Sequence, residues 1–195
     1  MRLVRRSSVD AGAPCAAGPR RDTLSLAGDW RFQLDPANVG ETQAWFARVL
    51  PDTIQLPGST DEGGFGAPEE PEIRYNALVR RHCYVGKAWY QRDIDIPAAW
   101  ADKHVVLFLE RCHWTTDVWI DDKKAGSEDS LCTPQEHDLS RWLTPGSHRV
   151  TICVNNKYPF SLGMFASSVS EHTQSNWNGI VGRIELQVMD RVWID

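Results

Sequence analysis

Between residues 149 and 155 apolar and polar side chains alternate without a break, with Val150, Ile152 and Val154 on one parity and Arg149, Thr151 and Cys153 on the other. Successive side chains of a β-strand point to opposite faces, so this run predicts a strand with one buried side. The same period of two returns along the chain in short pieces. Trp30, Phe32 and Leu34 mark one. Tyr90, Arg92, Ile94 and Ile96 share a side in the run 89–96, which Pro97 ends. Val118 and Ile120 alternate with Asp117, Trp119 and Asp121, and Ile184, Leu186 and Val188 face inward in the run 180–188. Residues 105–110 form an apolar run that reads as a buried strand.

Turn chemistry separates these runs. Asp121-Asp122-Lys123-Lys124 reads as a hairpin turn, and Pro then Gly in Thr144-Pro145-Gly146-Ser147 suits a type II turn. Residues 42–50 predict a short helix or an irregular segment, and 98–103 and 140–143 predict helices of a turn or so. A long loop is expected from Pro57-Gly58 to about Glu72, through Gly63, Gly64, Gly66, Pro68 and Pro71. There is no sustained helical period, no βαβ alternation, no phosphate-binding glycine motif and no internal repeat. Many short strands with turns between them predict an all-β chain folded as an antiparallel β-sandwich. Its core is expected to hold Trp30, Tyr90, Leu107, Leu109, Val118, Ile120, Val150, Ile152, Val154, Ile184 and Leu186, each large one contributing about 1.5–3 kcal/mol on burial.

At 195 residues the chain is long enough for one domain with a tail, read as a disordered tail over 1–22 and a domain over 23–195. The tail carries Arg2, Arg5, Arg6, Arg20 and Arg21 among Ser, Gly, Ala and Pro; it lacks the apolar stretch of a secretory signal, and Asp10 and Asp22 interrupt a transit-peptide pattern. No run has the apolar length of a membrane span, and a net charge of −5 gives no electrostatic case for nucleic acid or an anionic membrane. The five cysteines (Cys15, Cys83, Cys112, Cys132 and Cys153) are odd in number and form no C-x-x-C pair, so reduced thiols and a reducing compartment such as the cytoplasm are expected. His82-Cys83 and Cys112-His113 do not match zinc-ligand spacing, and neither a metal nor another cofactor is expected.

The stretch His172-Thr173-Gln174-Ser175-Asn176-Trp177-Asn178-Gly179 gathers amide, hydroxyl and imidazole groups around one indole, immediately ahead of the strand at 180–188. A polar loop pinned to a strand end holds hydrogen-bonding groups in fixed directions. Amides donate and accept, and indole offers a flat apolar face, a mixture that suits a sugar with its rim of hydroxyls and its C–H faces. The same composition also fits an ordinary turn-rich loop over a core tryptophan. With nine tryptophans in the chain, some belong to the core and others are available as sugar-facing or interface platforms.

Taken in order, several pieces resemble the N-terminal sugar-binding domain of glycoside hydrolase family 2, the group of β-galactosidases and β-glucuronidases. They begin with Leu26-Ala27-Gly28-Asp29-Trp30-Arg31-Phe32 and Leu56-Pro57-Gly58-Ser59, and continue with Tyr84-Val85-Gly86-Lys87-Ala88-Trp89-Tyr90-Gln91-Arg92 and Leu107-Phe108-Leu109-Glu110-Arg111. Val118-Trp119-Ile120-Asp121, Gly126-Ser127 and residues 130–139 follow, and Asn176-Trp177-Asn178-Gly179-Ile180-Val181-Gly182-Arg183-Ile184-Glu185-Leu186 closes the series. The resemblance covers about residues 24–190. It implies a jelly-roll β-sandwich of the galactose-binding-domain type, followed in complete enzymes by an immunoglobulin-like domain and a catalytic TIM barrel. Those two domains are the implied partners, with a β-glycoside carbohydrate as ligand. The loop ahead of the last strand reaches the substrate pocket in related enzymes, which makes His172, Gln174, Asn176 and Asn178 the polar candidates here. Asn76, in Arg74-Tyr75-Asn76-Ala77-Leu78, matches an active-site asparagine of β-galactosidases by position. Some relatives carry in the same loop an aspartate that binds sodium; Thr, Ser or Asn stands there in this chain, which speaks against a metal role.

Hydrolysis by these residues alone is not expected. A retaining glycosidase needs two carboxyl groups about 5–5.5 Å apart. In this family both are barrel glutamates, the acid/base following an asparagine, and the chain has no Asn-Glu pair. A barrel takes roughly 250 residues. The acidic pairs Glu69-Glu70, Asp121-Asp122 and Glu128-Asp129 read as solvated surface, Glu110 and Arg111 as a buried ion pair, and no serine-nucleophile motif is present. Three readings stay open: an accessory domain lending loop residues to a barrel, a stand-alone carbohydrate-binding module, and a structural adaptor.

Overall fold

The structure, a computed structural model, describes residues 22–69, 80–159, 163 and 176–191. In chain order its strands are β1 (Asp22–Ser25), β2 (Gly28–Asp35), β3 (Asp52–Leu56), β4 (Gly58–Ser59), β5 (Ala67–Pro68), β6 (His82–Cys83), β7 (Lys87–Ile96), β8 (His104–Cys112), β9 (Thr115–Ile120), β10 (Lys123–Asp129), β11 (Gln135–Asp138), β12 (Gly146–Asn155) and β13 (Gly179–Met189). One sheet runs β1-β13-β8-β11, with β4 also on β13; a second runs β10-β9-β12-β7-β2-β3; β5 and β6 pair by themselves. Every pairing is antiparallel. The architecture is the antiparallel β-sandwich that the alternating runs predict, of the jelly-roll kind that the family resemblance implies.

The core lies between the facing sides of the two sheets. All eleven residues expected there are in it: Trp30, Tyr90, Leu107, Leu109, Val118, Ile120, Val150, Ile152, Val154, Ile184 and Leu186 are buried in one cluster. Strand pairing explains the alignment, because Ile152 stands opposite both Tyr90 and Val118, and Leu186 opposite Leu107, so apolar parities coincide across the ladders.

The opposite parity of the six-stranded sheet is also buried, which the alternation does not suggest. Trp89, Trp119 and Cys153 point outward from that sheet and form a second cluster with Trp45 and Leu50. The segment between β2 and β3 lies across them as a strap. It contains a three-residue 3-10 turn, Trp45–Ala47, where a short helix or irregular segment is predicted. Asp35, 2 % exposed, organises the strap: its carboxylate accepts hydrogen bonds from the backbone N–H of Val39 and Gly40 (both 2.8 Å) and from the Trp89 indole N–H (3.2 Å). A buried carboxylate is tolerated where such donors meet it.

Other expectations need revision. The described part of the long loop after Pro57 is interrupted by short ladders: β4 pairs with the start of β13, and β5 with β6. Phe65 between them is seated against Phe32, ring centroids 4.6 Å apart, so an apolar anchor replaces regular structure. Residues 98–103 form only a 3-10 turn, Ala98–Trp100, and 140–143 only a turn. Glu110 and Arg111 do not make a buried pair. Glu110 is held instead by Arg183 across the β8–β13 ladder, at 3.1 Å from both its backbone N–H and Nε, while Arg111 is exposed. Glu110 makes its hydrogen bonds across the ladder to the neighbouring strand, and its 3.8 Å ion pair with Arg111 lies at the surface.

Candidate functional site

One end of the sandwich collects the start of β7, the β8–β9 turn, the end of β12 and the start of β13. The registers Asn155↔Lys87, Asn155↔Thr115 and Ile180↔Cys112 bring these segments level. Two further pieces join them, β4 beside Gly179 and the residues around β6.

Residues 176–178 run across this end with each backbone carbonyl held by the protein. The Asn176 carbonyl accepts from Nη1 of Arg80 at 2.5 Å. The Trp177 carbonyl accepts from Nδ1 of His113 (2.8 Å) and from Nδ2 of Asn156 (3.2 Å). The Asn178 carbonyl accepts from the Thr60 N–H at 2.8 Å. Gly179 then takes φ +151°, and a Cβ there would stand 2.4 Å from the Gly58 carbonyl oxygen, so only glycine lets β13 start this close to β4. The segment is a fixed rail.

The two described candidate asparagines turn their side chains into the protein. Asn178 is 1 % exposed; its Nδ2 donates to the Gly86 carbonyl (2.9 Å) and its Oδ1 accepts from the Tyr90 hydroxyl (3.2 Å). Burial raises the Tyr90 phenol well above its ordinary pKa, so it stays a neutral donor to Asn178. Asn176 is buried, and its Nδ2 donates to the Asn156 carbonyl at 3.2 Å. Its Oδ1, although buried, meets no donor among the described residues. Asn76, His172 and Gln174 lie outside the described residues.

Four contributors carry no local sequence signal. Arg80 is 6 % exposed and places its other terminal nitrogen 3.0 Å from the Cys83 sulfur. Asn156 ties Tyr84, Gly86 and Trp177 together through its two amide atoms. His113 packs its ring 5.1 Å from that of Trp177. Trp114 stacks on Tyr158 with centroids 4.6 Å apart and planes 12° from parallel. His113-Trp114 lies in a turn between recognisable strands, and adjacency to a strand end was its only readable mark; nothing in the sequence announces Arg80.

The acidic pairs singled out in the sequence lie at the surface where they are described. Glu69, Asp121, Asp122, Glu128 and Asp129 are all exposed. The Asp121 carboxylate, despite partial burial, is held below the ordinary carboxylate range by the Arg149 N–H and the His148 ring. Glu70 lies outside the described residues. Among the described residues no group of three or more His, Cys, Asp and Glu comes together around a possible metal position. The four described cysteines are free thiols, with Cys112 and Cys153 buried. No described helix is long and apolar enough to cross a membrane.

Comparison with known proteins bears on the family and the fold. The sequence profile of glycosyl hydrolases family 2, sugar binding domain, matches residues 23–187. A β-glucuronidase of Paenibacillus borealis is 32 % identical over 138 residues, which are 70 % of this chain and 21 % of the relative. The β-glucuronidase of Mus musculus is 26 % identical over 147 residues, 71 % of this chain and 22 % of that protein. The chain thus spans about a fifth of the curated relatives it matches. Among solved structures, a β-glucuronidase from an uncultured Clostridium sp. superposes with a TM-score of 0.67 at 20 % identity, covering 94 % of this chain and 31 % of that one. The Ruminococcus gnavus β-glucuronidase gives 0.67 at 20 % identity, covering 91 % and 30 %. Likeness at that identity speaks for the fold.

Proposed function

This chain belongs to glycosyl hydrolase family 2 through its sugar binding domain, and on that premise we propose that it is the non-catalytic sugar-binding domain of a β-glucuronidase-like glycoside hydrolase. In this reading it lends loop residues to the mouth of a catalytic barrel that lies outside these 195 residues, beside an immunoglobulin-like domain. The observation that carries the proposal is the rail at 176–178, whose three carbonyls are each fixed by a donor from another segment. Such a rail costs several buried polar groups and fixes the direction of the chain at the start of β13.

Within that frame Asn178 turns inward as a structural residue, and the Oδ1 of Asn176, which meets no donor among the described residues, is an acceptor in reserve. His172, Gln174 and Asn76 are the groups proposed to meet the sugar. A β-glucuronide is favoured over a β-galactoside because the relatives above carry the former name. A stand-alone carbohydrate-binding module is the second reading, favoured by the Trp114–Tyr158 stack at the same end.

The purified chain, incubated with nitrophenyl β-glucuronide and β-galactoside, is expected to release no nitrophenol. In calorimetry it should bind glucuronate no tighter than about 1 mM, as half a pocket would. Turnover that persists through purification defeats the proposal, and tight binding of a single sugar transfers it to the stand-alone reading.

A further inference from the structure

The outer face of the six-stranded sheet carries two hollows that the loop-end site does not use. The larger, about 470 Å³, is lined by Phe46 from the strap, Asp93 of β7, Asp121 and Asp122 of the β9–β10 turn, and Ser147, His148 and Arg149 of β12. The smaller, about 140 Å³, is lined by Asp29 and Arg31 of β2, Thr53 of β3, and Gln91 and Asp93 of β7. Asp93 belongs to both, so the two hollows adjoin at its carboxylate as a cleft in two parts, across the strands from the β9–β10 turn to β3. Alternation fixes the side: Trp30, Tyr90 and Val150 fill the core, and their neighbours Arg31, Gln91 and Arg149 therefore face outward.

The lining is ordered before anything binds. Asp93 accepts from Arg31 (Nη1, 2.9 Å) on one side and from Arg149 (Nε, 3.1 Å) on the other, which holds its carboxyl below the usual range. His148 stands between the Asp121 carboxylate at 3.0 Å and the Thr144 carbonyl at 2.8 Å. Phe46 is stacked on Trp119, with centroids 5.4 Å apart and planes 7° from parallel, and the same ring walls the hollow. A ligand meeting these groups does not pay again for their side-chain ordering.

We propose that this cleft is a second, independent binding site, for an uncharged oligosaccharide chain. Hydroxyls both donate and accept, and the lining interleaves carboxylate acceptors with guanidinium and hydroxyl donors. An aromatic ring at the wall suits the C–H face of a pyranose. Asp93, Asp121 and Asp122 outnumber Arg149 in the larger hollow, which disfavours a polyanion, while Arg31 and Arg149 paired to Asp93 neutralise the floor between the two hollows. Two hollows joined at Asp93 suit a chain of sugars rather than one ring.

The test is calorimetry and affinity electrophoresis of the whole chain with neutral β-linked gluco-, galacto-, manno- and xylo-oligosaccharides, the matching monosaccharides, and a polyuronate. At least one neutral oligosaccharide should bind with a Kd at or below about 1 mM, and its monosaccharide at least about tenfold more weakly. Free glucuronate should not displace it, which separates this cleft from the loop-end site. Ala47→Trp and Ser147→Trp each fill the larger hollow from an exposed position and should each weaken binding at least about tenfold, with the circular dichroism spectrum unchanged. Absence of binding across the panel, preference for the polyuronate, displacement by glucuronate, or full binding by either folded tryptophan variant would overturn the proposal.

Discussion

His137 offers a direct measurement of what its burial does. It sits on β11 at 4 % exposure, with Nε2 3.0 Å from the Thr116 hydroxyl of β9 in the opposite sheet. Burial pushes its pKa down from 6.5 to about 4, only partly opposed by the carboxylate of Asp117. An unfolded chain takes up this proton near 6.5, so between 6.5 and about 4 the unfolded state binds more protons than the folded one. Stability must therefore fall as pH falls through that window and level off below it. At about 1.36 kcal/mol per unit the loss amounts to about 3 kcal/mol, with a slope of at most about 1.4 kcal/mol per pH unit. Urea unfolding from about pH 7.5 to about pH 4.5 reads this, compared with His137→Gln, whose amide keeps a hydrogen-bonding group beside Thr116 and takes no proton. Carboxylates titrate equally in both chains and cancel in the difference. Parallel stability curves for the two chains would refute the reasoning.

Three further outcomes follow from packing. Asn178→Ala strands the Tyr90 hydroxyl and the Gly86 carbonyl in the interior and should cost about 1–3 kcal/mol in denaturant unfolding. Trp89→Ala empties the centre of the second cluster and should cost about 3–5 kcal/mol, a loss that an outward-facing tryptophan without the strap would not produce. With a thiol reagent and residue-resolved mass spectrometry, Cys132 should label in the native chain, whereas Cys112 and Cys153, whose thiols burial pushes up, should label only on unfolding.

The sandwich was readable because its central strands obey one rule each, apolar on one parity, and because Asp121-Asp122 and Pro145-Gly146 supply turn chemistry between them. That rule fails where both parities are buried. Trp89 and Trp119 stand on the side that alternation assigns to solvent, and the strap covering them has no period of its own, only a 3-10 turn and an Asp35 cap. The site was half visible. Asn176 and Asn178 drew attention as polar residues in a loop, but which way an amide points depends on partners such as Gly86 and Asn156 that are distant in sequence. Arg80 and the carbonyl it holds are 96 residues apart, a relation no local pattern encodes.

β10 is the terminal strand of its sheet, and its composition has a bearing on crowding at high concentration. A free sheet margin invites a further strand, from another copy or from an unfolding neighbour. This one carries Lys123, Lys124, Glu128 and Asp129, and its register shifts between Lys124 and Gly126. An incoming ladder would have to bury four charges and match an irregular spacing of backbone donors. The margin is thereby guarded against the templated stacking that leads to fibrils.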